Sequence, residues 1–145
     1  MKKCNEVMTK EPICCLPNDS VARAAKLMQS ENIGSIPVIE NKQSQKLVGI
    51  VTDRDLALKI VAKGRDAKST KVEVVMTHKV VTCCADDDLQ KALDAMAEHQ
   101  LRRILVVDND NKIVGIIAQA DVATRADQPD KTGEMVKEIS QANGK

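Results

Sequence analysis

The chain contains no phenylalanine, tyrosine or tryptophan. That absence removes the stacking platforms used by single-stranded nucleic acid sites, RNA-recognition sheets and sugar clefts. A planar ligand would have to be sandwiched by aliphatic side chains, and the core must be filled by Ile, Leu, Val, Met, Ala and Cys. A charge imbalance is also missing. The 22 basic and 21 acidic residues leave a net +1, which argues against a polyanion-binding surface. No apolar run approaches the roughly 18 residues that span a bilayer. The opening residues, Met1 to Glu6, lead into no apolar stretch and do not read as a signal peptide. The expectation is a cytoplasmic chain that meets neither nucleic acid nor membrane. Its five cysteines are an odd number without an export signal, so reduced thiols are expected rather than a disulfide framework.

What is present is a repeat. The 145 residues are 43% hydrophobic and 30% charged, an ordinary globular balance for one domain or two very small ones. Val7-Met8-Thr9 recurs 68 residues later as Val75-Met76-Thr77. The register holds through Cys15/Cys83, Asp19/Asp87, Ala24/Ala92, Met28/Met96, Ile36/Ile104 and Val38/Val106. Two residues are lost in a polar turn, and the match resumes at an offset of 66 with Val48-Gly49-Ile50 on Val114-Gly115-Ile116, ending at Asp55/Asp121. The chain is a tandem duplication.

Each copy reads as β-α-β-β-α. A short extended segment leads to a capping signal, Asn18-Asp19-Ser20 or Asp86-Asp87-Asp88. An amphipathic helix follows, then a strand over 36–39 or 104–107, and an apolar strand over 47–51 or 113–117 that runs into a helix near Asp55 or Asp121. The division predicted is a first repeat with its linker over 1–67, a second over 68–126, and a tail over 127–145 with a short helix from about Thr132 to Gln141. Two copies packed about a pseudo-twofold axis would cover both apolar sheet faces and create two related clefts.

Val-Met-Thr, the cap, Ile-Gly-Ser-Ile-Pro-Val-Ile-Glu over 33–40 and Leu-Val-Gly-Ile-Val-Thr-Asp-Arg-Asp over 47–55 together resemble a cystathionine-β-synthase (CBS) domain. The tandem pair, from about residue 4 to 125, is similar to a Bateman module of the small stand-alone bacterial type. The resemblance implies an α/β (α+β) fold of two CBS repeats and a non-enzymatic sensor role. It implies an adenine nucleotide (AMP, ADP or ATP) in the cleft between repeats, and signalling by a change of conformation or assembly.

The family motif is Gly-apolar-apolar-Thr/Ser-x-x-Asp, whose Asp is suited to a ribose diol and whose hydroxyl and helix-start amides suit a phosphate or sugar oxygen. The first repeat carries it complete, Gly49 to Asp55. The second keeps Asp121 but reads Ala118 in place of the hydroxyl. In the family, the start of the middle strand of the opposite repeat faces the phosphates. The main cleft implied thus combines Ile50, Thr52, Arg54, Asp55, Val80 and Val81 with Arg102 and Arg103, since arginine is the side chain best shaped for phosphate. A weaker second cleft combines Pro12, Ile13, Ile116 and Asp121 and has only Gly34 and Ser35 where the first has arginines.

Plainer roles compete with these. Asp55 and Asp121 could cap the helices they begin, Arg102 and Arg103 could be solvated, and His99 could simply face solvent. The adjacent pairs Cys14-Cys15 and Cys83-Cys84 lack the spacing of a zinc site, and alternation should turn one sulfur of each pair inward as a small hydrophobe. No catalytic residues and no metal ligands are assigned, and no catalytic cofactor is expected. A homodimer is expected through Leu56, Ile60 and Val61 and the tail residues Met135, Val136 and Ile139, with a protein target that the sequence does not identify. Two alternatives stand beside this reading: a ligand-free protein-interaction module, and a thiol-based redox sensor.

Overall fold

The computed structural model describes residues 2–125. The tail, with its expected helix and Met135, Val136 and Ile139, lies outside them. The elements in order are α1 (Cys4–Val7), β1 (Thr9–Lys10), α2 (Val21–Glu31), β2 (Ser35–Ile39), β3 (Leu47–Thr52) and α3 (Asp53–Leu56), which continues as a π-helical stretch over Ala57–Val61. Then follow α4 (Val72–Val75), β4 (Thr82–Cys84), α5 (Leu89–His99), β5 (Arg103–Val107), β6 (Ile113–Ala118) and α6 (Gln119–Arg125). This is a mixed α+β chain in which the β-α-β-β-α order occurs twice.

The chain forms two compact units, and they are not the two contiguous repeats. One unit is Ile13–Val80; the other joins the residues up to Pro12 to those from Val81 onward. The segment that precedes each repeat in sequence therefore packs with the other repeat's elements. In the first unit described, β2 and β3 form an antiparallel pair. Single bridges extend it on either side, Cys15 to Val38 in parallel and Ile50 to Thr77 antiparallel. The other unit has the same arrangement drawn out into full strands, a sheet in the order β1-β6-β5-β4.

The helices form for reasons legible in their ends. Ser20 caps α2 by accepting a 3.1 Å bond from Arg23 N, and Asn32 closes it in the left-handed conformation that asparagine tolerates. Its inward face buries Val21, Ala24 and Met28. In α5 the same face is Leu89, Ala92, Leu93 and Met96, and Gln100 takes the left-handed closing role. Asp88 occupies the N-cap position of α5, but its carboxylate does not bond the helix amides. It accepts a 3.0 Å bond from Lys3 Nζ instead, so the capping signal marks the start of α5 without its side chain closing the cap.

β2 and β5 are buried on both faces over their last four residues, whereas β3 and β6 alternate. The middle strand is thus the core of each unit. Ile36, Val38 and Val51 cluster with Val72 and Val75 of α4 in one unit; Ile104, Val106 and Ile117 cluster with Cys4 and Val7 of α1 in the other. Each fully buried aliphatic side chain contributes roughly 1.5–3 kcal/mol, so the one-turn helices are core parts rather than decoration.

Ile60 departs from the expected dimer face. It belongs to the core of its own unit at 4% exposure, while Leu58 and Val61 stand out at 48% and 77%. Leu56, one turn earlier, packs against the same cluster, and the stretch over Ala57–Val61 is π-helical, closed by Ala62 N on Ala57 O at 2.9 Å.

Candidate functional site

The motif Gly49 to Asp55 spans the end of β3 and the start of α3. A side chain at Gly49 would place Cβ 2.9 Å from Thr77 O and 3.2 Å from Met76 Cγ. The Val-Met-Thr sequence and the motif glycine are thus two sides of one contact, sealed by paired bonds between Ile50 and Thr77 at 2.9 and 2.8 Å. Gly115 meets Thr9 O and Met8 Cγ in the same way, at 2.9 and 2.7 Å.

At the strand's end the backbone turns. Thr52 is the N-cap of α3, and Asp55 is the third residue of the helix rather than its cap. Each side chain bonds the other's amide: Asp55 N donates to Thr52 Oγ1 at 3.1 Å, and Thr52 N donates to Asp55 Oδ2 at 3.0 Å. This is a reciprocal capping box. The other carboxylate oxygen, Oδ1, pairs with Lys59 Nζ at 3.1 Å, and Lys59 also donates to Val75 O at 2.8 Å. Asp55 is the one buried charged side chain among the described residues, at 8% exposure. Its charge is tolerated there because it is paired and hydrogen-bonded. Neither Lys59 nor the interlocked geometry was foreseen; the i, i+4 spacing of Asp55 and Lys59 was the available signal.

In the second repeat Ala118 N donates to Asp121 Oδ2 at 3.3 Å, and Thr9 Oγ1 donates to the same oxygen at 3.1 Å. A hydroxyl does reach this aspartate, carried by β1, but as a donor to its carboxylate, whereas Thr52 Oγ1 accepts from the Asp55 amide. The repeat alignment could not reveal this, because Thr9 belongs in sequence to the other copy.

The starts of the middle strands are anchored alike. Asp53 N donates to Gly34 O at 2.9 Å, and Gln119 N donates to Arg102 O at 3.1 Å. A Cβ at Gly34 would lie 3.1 Å from Asp53 Oδ2, so this position leaves little room in the first repeat, whereas Arg102 occupies it in the second. Arg54, Arg102 and Arg103 are exposed, and Ile50, Thr52, Val80, Val81, Ile116 and Asp121 are half-buried. Of the expected main-cleft residues, Ile50, Thr52, Arg54, Asp55 and Val80 belong to the Ile13–Val80 unit, and Val81, Arg102 and Arg103 to the other. Of the second-cleft residues, Ile13 lies in the former, and Pro12, Ile116 and Asp121 in the latter.

A groove of about 530 Å³ runs along α2, lined by Ser20, Arg23, Lys26, Leu27, Ser30 and Lys68; none of the motif residues borders it. The cysteines follow the alternation expected of them. Cys15 and Cys83 are buried, Cys14 is half-buried and Cys84 is exposed. Burial pushes the Cys14 and Cys15 thiols up to about 11, helped at Cys15 by Asp19. Among the described residues no three of His, Cys, Asp and Glu gather in a way that could hold a metal ion, and no helix is long and apolar enough to cross a membrane.

Residues 4–62 and 72–127 each match the CBS domain family. A CBS domain-containing protein of Bacillus subtilis is 37% identical over 143 residues, covering 99% of both chains. The chain also matches inosine-5'-monophosphate dehydrogenase of Methanocaldococcus jannaschii at 35% identity, but spans only 27% of that enzyme's length. Among solved structures, Hypoxic Response Protein I with two coordinated zinc ions superposes with a TM-score of 0.75 at 27% identity, covering 86% of this chain and 99% of that one. A CBS domain pair in complex with 5'-methylthioadenosine and S-adenosyl-L-methionine superposes with a TM-score of 0.69 at 28% identity, covering 85% and 94%. The interlocked strand-to-helix turns, the twice-repeated fold and these relatives agree: the chain belongs to the CBS domain family, as a tandem pair.

Proposed function

We propose that this CBS pair is a non-enzymatic regulatory module that binds one adenine nucleotide, AMP, ADP or ATP, and responds by a change of conformation or assembly. The observation that carries the reading is the intact turn from Gly49 to Asp55, with Thr52 and Asp55 fixed by their shared hydrogen bonds. A carboxylate oxygen accepts more than one hydrogen bond, so Asp55 retains capacity for a ribose diol while it holds the turn. Arg102 and Arg103 are the cations assigned to the phosphates, and Ile50, Val80 and Val81 the aliphatic cover for the purine. The complex of a related CBS pair with two adenosine-type ligands supports the ligand class.

The second site, around Pro12, Ile13, Ile116 and Asp121, is proposed to be weaker because it lacks arginines. The exposed Leu58 and Val61 favour a homodimer, which light scattering tests directly. With no Tyr or Trp, bound adenine dominates the near-ultraviolet absorption of the purified chain. Calorimetry against AMP, ADP, ATP and S-adenosylmethionine then decides the reading. Saturable binding of one nucleotide per chain is expected, and no heat and no co-purifying adenine would overturn it.

A further inference from the structure

The repeat symmetry carries one position that is chemically unequal. Cys15 and Cys83 are equivalent in sequence and both are core residues. The one-turn helix beside each differs: α4 begins with Val72, and α1, at the equivalent place, begins with Cys4. The backbone seats the two helices alike. Val72 N donates to Asp19 O at 2.8 Å and Cys4 N to Asp87 O at 2.9 Å; Glu73 N donates to Pro17 O at 3.1 Å and Asn5 N to Ala85 O at 3.0 Å. Where one unit puts Val72 beside Cys15 in a single core cluster, the other puts two thiols together.

Cys4 and Cys83 lie in one buried cluster, where α1 is seated on the turn that follows β4, and the two thiols perturb one another. Each sulfur also lies 3.8 Å from a backbone carbonyl, Asp88 O for Cys4 and Leu105 O for Cys83. Their mutual interaction holds the Cys4 thiol below its ordinary value and the Cys83 thiol above it. The pair thus has an ordered polarity, with Cys4 the better nucleophile.

We propose that Cys4 and Cys83 are an oxidisable dithiol that closes to an intramolecular disulfide when the chain meets a hydroperoxide. The Cys4 thiolate attacks a peroxide oxygen and becomes a sulfenic acid, and with hydrogen peroxide the other oxygen leaves as water. The Cys83 sulfur then attacks the Cys4 sulfur, and the sulfenic hydroxyl leaves as a second water with the Cys83 proton. Two thiols lose two hydrogens and two electrons, and one peroxide is reduced to two waters. Local opening of α1, a single turn, admits the oxidant. The bond would staple α1 to β4 and, through α1, fix the strand that carries Thr9 to Asp121. This reading does not depend on nucleotide binding.

The full chain, purified reduced and treated with stoichiometric hydrogen peroxide, is analysed by intact mass and by non-reducing peptide mapping. A loss of about 2 Da per chain is expected, with one cross-linked peptide pair joining residues 3–10 to the peptide containing Cys83 and an upward shift of the thermal midpoint. Cys84→Ser should keep the cross-link; Cys83→Ala should abolish it. Cys4→Val, which installs the residue the other unit uses, should also abolish it while the chain still folds. A cross-link that survives Cys83→Ala or vanishes with Cys84→Ser overturns the assignment, as does a stable gain of about 16 or 32 Da on Cys4 without cross-linking.

Discussion

Thr9 and Asp121 lie 112 residues apart in sequence and are joined by a 3.1 Å hydrogen bond from hydroxyl to carboxylate. The bond ties the leading strand to the start of α6 and stands where the first repeat has the Thr52–Asp55 box. Each unit therefore ties a hydroxyl to its motif aspartate in a different way: Thr52 Oγ1 accepts from the Asp55 amide in one, and Thr9 Oγ1 donates to the Asp121 carboxylate in the other. Replacing Thr9 by Val should loosen β1 from β6. A loss of about 0.5–1.5 kcal/mol is expected for a hydrogen bond of this kind, read as a lower denaturant midpoint with an unchanged slope. An unchanged midpoint would show that the bond contributes nothing in solution.

Removing the capping box and removing the proposed ligand contact are separable at Thr52 and Asp55. Thr52→Val should cost about 0.5–2 kcal/mol of stability, the usual range for a lost N-cap. Asp55→Ala should cost at least as much, because it also removes the ion pair with Lys59, and should weaken nucleotide binding at least about tenfold. Thermal unfolding and calorimetry on the same preparations distinguish the two effects. Binding retained in full by a folded Asp55→Ala chain would remove Asp55 from the proposed site.

Arg102 and Arg103 are the residues proposed to meet the phosphates. The double change to Ala should therefore weaken ATP by much more than adenosine, since only the triphosphate loses charge-assisted contacts. Equal weakening of both ligands would mean that the arginines act on the shape of the protein. Asp121→Ala, in the site proposed to be weaker, should leave the affinity of the main site within about twofold. Loss of all binding in that variant would reverse the order of the two sites.

The thiols should separate by pH. Cys14 and Cys15 have their thiols raised to about 11 by burial, so at pH 8 they remain protonated and unreactive, and they ionise only as the pH passes that value. Iodoacetamide at pH 8 should modify the exposed Cys84 quickly and leave Cys14 and Cys15 unmodified until the chain is denatured. Peptide mapping at short times checks this, and fast labelling of Cys15 in the native chain would contradict its burial.

Much of this architecture could be read from residues alone, because duplication writes each element twice. The periodicity of Val21, Ala24 and Met28 located α2, and its shadow at Leu89, Ala92 and Met96 located α5. Alternation placed Cys15 and Cys83 inward. Local reading failed where the structure depends on contacts distant in sequence. The role of Met8 and Met76, whose side chains lie against Gly115 and Gly49, needs a segment outside its own repeat. The bond from Thr9 to Asp121 is invisible for the same reason. Ile60 is expected at a dimer face because the resemblance implies association through helices, whereas it packs with Leu56 in the core of its own unit.

The exchange of leading segments decides how such a chain can be divided. A cut at the boundary of the sequence repeats would give two fragments, each with an opening helix and strand that fit the other fragment's core. Neither half is self-sufficient: the first would lack Val72 and Val75, the second Cys4 and Val7. A single copy of this unit could recover those contacts by trading its first dozen residues with an identical chain. Fusing two copies turned that trade between molecules into one within a molecule, and left the two halves free to diverge at Thr52 and Ala118, and at Cys4 and Val72, without losing the contacts that hold them.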